Sequence, residues 1–320
     1  MNTTLENACL VAVRDCMGLR HNERVMIVTD EPLRKIGYAL HRCVKELGNE
    51  VLLVEMLPRS SNGAEPPPEV AELMKKADVV LCPTSKSLTH TDARRSASAL
   101  GVRIATLPGV TEEIMVRCMN ADYHLIARRT FLLCELLDKT DVIRVTAPGG
   151  TDIILPKQGR KAHASSGLFH KKGESGNLPT GEAYLAPCEG KSNGVVVVDG
   201  SMAMIGMVKA PIMITVENGY ATNIAGGDDA IAFINLLEPH GKDARNVAEF
   251  GIGTNDQAKL SGLILEDEKV MGTIHIAFGD NKSMGGSVRV ASHLDGLVKN
   301  PTVWFDDIII MKDGKFIIKM

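Results

Sequence analysis

Two histidines and an aspartate interrupt an apolar, glycine-rich segment of the chain, residues 272–298. His293 and Asp295 stand two positions apart in SHLDG, and alternation along a strand places both on one face. An imidazole and a carboxylate at this spacing can converge on one metal ion. The spacing alone is also typical of a solvated histidine followed by a turn aspartate, so other residues must decide between the two interpretations.

His275 occupies the middle of a predicted strand in GTIHIAFGDN. The large apolar side chains of this strand share one face: Ile274, Ile276 and Phe278. His275 shares the opposite face with the small residues Ala277 and Gly279, which leave space in front of the imidazole. A histidine packed in a core would have large neighbours on its own side, so the pattern favours a functional histidine.

Two glutamates add carboxylates in apolar or glycine-rich surroundings. Glu182 lies in SGNLPTGEAYLAP, and Glu249 lies between apolar residues and a glycine loop in NVAEFGIGTND. A lone buried carboxylate is costly, so a glutamate buried there must pair or bind a cation. The acidic segment ILEDEK, residues 264–269, is instead typical of an exposed turn.

Four motifs, in this order, resemble the metallo-aminopeptidase family of aminopeptidase T and aminopeptidase S: LPTGEAYLAP, AEFGIGTN, GTIHIAFGDN and SHLDG. The resemblance covers the C-terminal half by motif and the N-terminal half in general layout. It implies a homodimer, a small-molecule or short-peptide substrate, and a two-metal centre built from two glutamates, a histidine and a closing His-x-Asp, although the hydrolase could activate water on one ion or two. Carried over by position, the implied ligands are Glu182, Glu249, His275, His293 and Asp295.

The resemblance implies a hydrolase that cleaves an amide or peptide bond. The donor set suits zinc, cobalt or manganese, and two such ions would share an activated water and polarise the scissile carbonyl. Glu268, seven residues before His275, is the candidate proton shuttle. The family's tyrosine near the metals has no counterpart in GDNKSMGG, where Asn281 and Lys282 are nearest, and Lys282 is the candidate that stabilises developing charge.

The chain is also similar to a second branch of this superfamily, the ring-opening 2,5-dihydroxypyridine dioxygenases. Such enzymes use iron held by two histidines and one carboxylate, which His275, His293 and Asp295 would satisfy. The alternative expectation is therefore a non-haem iron dioxygenase. A third interpretation, a relative that only binds a ligand, is disfavoured because all five ligand types are present.

The elements that must position these residues fall into two parts. Residues 1–140 alternate short buried strands with helices, which predicts a Rossmann-like α/β domain with a parallel sheet. Its turns contain neither GxGxxG nor GxxxxGK[ST], which argues against a nucleotide site. Residues 141–320 carry strands separated by turn residues, which predicts an α+β metal-binding catalytic domain with a largely antiparallel sheet.

Charge and composition narrow the function classes. Lys and Arg number 36 against 39 Asp and Glu, a net charge of −3, and no basic run indicates binding to nucleic acid or an acidic membrane. No apolar run is long enough to span a bilayer. The opening residues read as an amphipathic helix rather than a signal peptide, and seven cysteines without CxxC spacing indicate reduced thiols, so we expect a cytoplasmic protein.

Overall fold

The computed structural model describes residues 4–320, which form two compact units. The first unit comprises the chain up to Ala127 together with Gly167–Thr180, and the second comprises Arg128–Ser166 and Gly181–Met320. This division differs from the predicted boundary between residues 140 and 141. The chain passes into the second unit within a long helix, and the segment 167–180 returns to the first unit.

Helices occur in both units. Within residues 4–320 the α-helices are α1 (Leu5–Leu10), α2 (Arg34–Glu46), α3 (Pro68–Met74), α4 (Asp92–Ala99), α5 (Glu112–Met119), α6 (Tyr123–Asp138), α7 (Gly227–Leu237) and α8 (Ile264–Asp267). A π-helical stretch, Val11–Cys16, continues α1, and 3-10 turns cover Glu31–Leu33, Glu238–His240, Lys242–Arg245 and Lys282–Met284. None of the helices in the described range has the length and apolarity needed to cross a membrane.

The strands form three sheets. In chain order they are β1 (Val25–Asp30), β2 (Val51–Met56), β3 (Val79–Cys82), β4 (Arg103–Thr106), β5 (Val142–Thr146), β6 (Asp152–Pro156), β7 (His163–Ser165), β8 (Ser175–Asn177), β9 (Glu182–Leu185), β10 (Asn193–Val198), β11 (Ser201–Met202), β12 (Gly206–Met207), β13 (Ile212–Glu217), β14 (Tyr220–Ala225), β15 (Val247–Gly253), β16 (Ile274–Gly279), β17 (His293–Val298), β18 (Thr302–Phe305), β19 (Ile308–Lys312) and β20 (Lys315–Phe316).

The first unit contains a five-stranded parallel sheet in the order β2-β1-β3-β4-β8. Strands β1, β3 and β4 are buried along their whole length, as expected for a parallel sheet covered on both faces. This confirms the predicted α/β class. The sequence does not reveal β8, because three residues that include Gly176 show neither alternation nor β propensity.

The second unit contains two antiparallel sheets, which confirms the predicted class of the C-terminal half. The eight-stranded sheet has the order β14-β13-β10-β6-β5-β18-β19-β20, and the seven-stranded sheet has the order β12-β11-β17-β16-β15-β9-β7. Both sheets contribute side chains to one hydrophobic core. Ile153 and Ile214 come from the eight-stranded sheet, and Phe250 and Ile276 come from the seven-stranded sheet. The seven-stranded sheet therefore has one face fixed against the core.

Substitution of Ile276 should show how far this core supports the sheet. Ile276 is fully buried, so Ile276→Ala should lower the free energy of unfolding by about 2–5 kcal/mol, and Ile276→Val by about 0.5–1.5 kcal/mol. The fluorescence of Trp304, the one tryptophan of the chain, reports on the second unit during urea denaturation. Equal midpoints for the two variants would contradict a closely packed core at this strand.

Candidate metal centre

The five predicted ligands lie on four strands that are neighbours in the seven-stranded sheet, all within the second unit. The first residue of β9 is Glu182, β15 carries Glu249, β16 carries His275, and β17 carries His293 and Asp295. Antiparallel pairing aligns Ala277 of β16 with both Glu249 and Asp295. Pairing between strands distant in the sequence therefore gathers the five residues.

The alternation predicted for β16 is present. Ile274, Ile276 and Phe278 belong to the hydrophobic core, and His275 lies on the other face of the strand. On that face Gly251 of β15 is the register partner of His275. A Cβ atom on Gly251 would lie 2.1 Å from His275 Nε2, so only glycine leaves room for the imidazole.

Glu249 joins the two histidines through its two carboxylate oxygens. Its Oε1 lies 3.1 Å from His275 Nε2, and its Oε2 lies 3.2 Å from His293 Nε2. Two further carboxylates flank this pair, with Glu182 Oε2 at 3.6 Å from His275 Nε2 and Asp295 Oδ1 at 3.4 Å from His293 Nε2. Both imidazoles thus point Nε2 into a set of carboxylate oxygens.

The backbone fixes the orientation of His293. Its Nδ1 lies 2.7 Å from the carbonyl oxygen of Asp280, so Nδ1–H donates there and Nε2 is left to act as a ligand atom. The side chain of His293 is 32% exposed, whereas that of His275 is fully buried. The cluster is therefore open to solvent on the side of His293.

The carboxylates shift the pKa of both histidines upwards. Burial lowers the pKa of His275, but the hydrogen bond and charge of Glu249, with Glu182 and Asp295, raise it to about 9. Burial also lowers the pKa of His293, and Asp295 and Glu249 outweigh it and hold that pKa well above its ordinary value. For Glu249, burial raises the pKa, yet the two imidazoles bring it below its usual range. Without a metal ion, protons on the two histidines thus balance the negative charge of the carboxylates.

Glu268 joins the cluster, and its segment is not the exposed turn that ILEDEK predicts. Leu265, Glu266 and Asp267 of α8 are buried, and Asp267 accepts hydrogen bonds from the backbone amides of Ser261 and Gly262. Glu268 follows α8 and lies 2.8 Å from the ammonium of Lys269. Burial raises the pKa of Glu268 to about 8, with Glu182 and Asp295 adding to the rise and Lys269 opposing it.

Sequence reasoning missed Lys269. Its ammonium lies 2.7 Å from Glu182 Oε1 as well as 2.8 Å from Glu268, and its side chain is only 3% exposed. The sequence carries no clear signal for this role, because a lysine at the end of an acidic run is typical of a solvated surface. The fold buries the run and converts this lysine into an internal cation.

Lys282 belongs to the loop between β16 and β17. It opens the 3-10 turn Lys282–Met284 and is exposed. Asn281 is buried and closes the β16–β17 loop, because its side chain binds Glu189 and the amide of Val288. The catalytic role of Lys282 stays a prediction that substitution must test.

Tyr184 is a second residue that sequence reasoning did not assign to the site. It follows Glu182 by two positions in β9, so the two side chains share a face, and its ring stacks on His163 with centroids 5.3 Å apart. Burial, with the charges of Glu182 and Glu249, raises the pKa of its phenol. The tyrosine of the aminopeptidases has no counterpart in GDNKSMGG, but β9 brings a neutral phenol to the face that carries Glu182.

The donor set fits a divalent metal ion. Two groups have ligand atoms within 4.8 Å of one another, Glu182 with Glu268 and His275, and Glu249 with His293 and Asp295. Glu182 Oε2 and Asp295 Oδ1 are buried and face imidazole nitrogens, but neither oxygen makes a hydrogen bond among residues 4–320. Buried oxygens of this kind call for a cation, and imidazole nitrogens beside them are ligands for transition metals.

Comparison with known proteins assigns the family. The family described as NicX, 2,5-dihydroxypyridine 5,6-dioxygenase, matches residues 7–318, which is nearly the whole chain. The chain belongs to this family. A 2,5-dihydroxypyridine 5,6-dioxygenase of Pseudomonas putida KT2440 is 22% identical over 259 residues, which cover 75% of this chain and 71% of that protein.

Two solved structures share the fold of this NicX-family chain. The 2,5-dihydroxypyridine dioxygenase of Pseudomonas putida KT2440 matches with a TM-score of 0.86 and 17% identity, covering 98% of this chain and 97% of that one. Wild-type AmpT of Thermus thermophilus, an aminopeptidase T, matches with a TM-score of 0.72 and 17% identity, covering 98% and 99%. Both matches confirm the fold expected from the motifs.

The expected hydrolase activity is wrong. The family match and the curated relative both indicate a dioxygenase, so the interpretation as a metallo-aminopeptidase fails. The motifs misled because a dioxygenase and an aminopeptidase T both share this fold, and carboxylates with imidazoles can serve either chemistry.

Removal of a predicted ligand should deplete the metal. Loss of a partner that only orients a ligand weakens metal binding about 10–100-fold, so His293→Ala should exceed that loss and Glu249→Gln, which changes the group between the two imidazoles, should at least reach it. His240→Ala, an exposed histidine of the same unit, is the matched control. Elemental analysis after dialysis against a weak chelator measures the effect, and full metal content in both ligand variants would rule out this centre.

Acid should weaken metal binding. The metal and the proton compete for Nε2 of both histidines, and the pKa of His275 without metal is about 9. The affinity for Mn²⁺ should therefore rise by at least about tenfold per pH unit between pH 6.5 and 8.5, one factor of ten for each proton displaced. Titration in buffered solutions tests this, and equal affinity at the two ends of the range is the contrary result.

Proposed function

We propose that this chain is a non-haem iron dioxygenase that opens the ring of 2,5-dihydroxypyridine or a closely related dihydroxylated N-heterocycle. The observation that carries the proposal is the convergence of two imidazole Nε2 atoms, of His275 and His293, on buried carboxylates. The family match over residues 7–318 supports the reaction class and the substrate class.

His275, His293 and Asp295 are the proposed protein ligands of the iron. They comprise two imidazoles and one carboxylate, the donor set of ferrous oxygenases that keep further coordination positions open. When bound, ferrous iron would supply the one-electron chemistry that dioxygen requires, together with open coordination positions for dioxygen and the substrate. Asp295 Oδ1, buried and making no hydrogen bond among residues 4–320, supports its part in this set.

Glu249 and Glu268 have different proposed roles. Glu249 contacts both histidines and remains ionised, so it fixes the two rings relative to each other and adds negative charge beside the ion. Glu268, with a pKa of about 8, can take a proton at its carboxylate and release it near neutral pH. A hydroxyl of the substrate is the group that would give up this proton.

A small aromatic substrate and a second copy of the chain complete the proposal. The ring of Tyr184, stacked on His163, offers a flat surface to a planar substrate ring on the face that carries the donors.

Met213 and Ile154, both large and apolar, are 50% and 46% exposed on one face of the eight-stranded sheet, which supports a homodimer that covers them. Light scattering of the purified protein tests the dimer.

Oxygen uptake tests the proposed reaction. Protein loaded anaerobically with Fe²⁺ should consume one dioxygen per 2,5-dihydroxypyridine and yield a ring-opened product seen by mass spectrometry. His293→Ala should lose both iron and turnover. Glu268→Gln should keep its iron and lose about 10²–10⁴-fold in turnover, the usual contribution of a positioned proton acceptor.

Two further variants complete this experiment. Lys282→Ala tests the role predicted for that lysine, and because the side chain is exposed we expect turnover to change by less than about twofold, well under 1 kcal/mol. His240→Ala is the surface control. Iron-loaded protein that leaves the dihydroxypyridine and the oxygen unchanged would refute the substrate class while leaving the metal centre standing.

A further inference from the structure

One of the two groups of metal-type donors already holds a positive charge. The ammonium of Lys269 lies 2.7 Å from Glu182 Oε1 and 2.8 Å from Glu268 Oε1, both within hydrogen-bonding distance. Glu182 and Glu268 are also the carboxylates of the donor group completed by His275. The lysine therefore uses one oxygen of each of the two carboxylates that an ion in this group would need.

The other donor group differs in this respect. Among the described residues, the ion-pair partners of Glu249 and Asp295 are the imidazoles of His275 and His293. An imidazole nitrogen is a metal ligand, whereas an ammonium offers no lone pair and only donates hydrogen bonds. Glu249 and Asp295 thus face ligand atoms, and Glu182 and Glu268 face a cation that the chain itself supplies.

We propose that the ammonium of Lys269 occupies the place of a second cation, so that the centre binds one divalent ion instead of two. The ammonium neutralises part of the charge on Glu182 and Glu268 and repels a divalent ion placed beside it. The remaining ion lies with Glu249, His275, His293 and Asp295. This inference rests on the proposed metal centre but not on the identity of the substrate.

Hydrogen bonds to both the backbone amide and the backbone carbonyl of Lys269 hold this residue in position. Its amide donates to the carbonyl of Glu266 in α8, and its carbonyl accepts from the amide of Asn255, both at 2.9 Å. Gly253 of β15 lets the segment pass closely, because a Cβ atom there would lie 2.2 Å from the carbonyl oxygen of Val270. The ammonium is therefore a fixed part of the site and not a mobile surface charge.

The number of bound ions tests the proposal directly. Apoprotein is saturated with Mn²⁺, and the ions per chain are counted by elemental analysis and by electron paramagnetic resonance, which distinguishes isolated ions from coupled pairs. Wild type should bind one isolated Mn²⁺. Lys269→Met removes the charge and should bind two, the second held by Glu182 and Glu268.

Lys157→Met is the matched control. Lys157 is also a buried lysine of the second unit, but its ammonium donates to the carbonyls of Leu137 and Arg160 and not to the carboxylate cluster. It should therefore keep one ion per chain. Because Lys269→Met leaves buried carboxylates without their ammonium, circular dichroism must show that it folds before its ions are counted.

The outcomes separate this inference from the metal centre. Two ions in wild type, or one ion in folded Lys269→Met, would overturn the role of Lys269 and leave the centre intact. The absence of any ion in saturated wild type would overturn the centre and the inference together. If Lys269→Met does not fold, the count in wild type still decides, since a coupled pair of Mn²⁺ ions contradicts the proposal and one isolated ion supports it.

Discussion

Buried negative charge is the constraint on which the rest of the second unit depends. Glu182, Glu249 and Asp295 are buried, and each faces an imidazole nitrogen. Carboxylates in such a place must be paired, and breaking a buried pair commonly costs about 3–5 kcal/mol. Protons on the two histidines and the ammonium of Lys269 meet this need in the protein alone, and a metal ion replaces the protons. A bound metal ion thus neutralises the same buried carboxylates that protons neutralise in its absence.

The seven-stranded sheet makes this arrangement rigid. One face of β15, β16 and β9 belongs to the hydrophobic core, which fixes the direction of the side chains on the other face. Small residues complete the site, since Gly251 admits the imidazole of His275 and Gly253 admits the segment that carries Lys269. The apolar side chains on one face of each strand thus hold the polar side chains on the other face in position.

Sequence reasoning predicted what depends on local periodicity. The parallel and antiparallel parts and the alternation around His275 follow from strand patterns, whereas the set of five donors was implied by the resemblance to the aminopeptidases. It failed where tertiary contacts override local composition. The run ILEDEK has the charge of a surface turn, yet the amides of Ser261 and Gly262 bind Asp267 and the segment is buried. The reaction class was also predicted wrongly, because the same set of carboxylates and imidazoles can serve both hydrolysis and oxygenation.

A crystal structure of anaerobically iron-loaded protein, with diffraction measured on both sides of the iron absorption edge, tests the central claim most directly. We expect one anomalous peak, within coordination distance of His275 Nε2, His293 Nε2 and Asp295, with the Lys269 ammonium still between Glu182 and Glu268. A peak between Glu182 and Glu268, a pair of peaks, or no peak near the two histidines would contradict it.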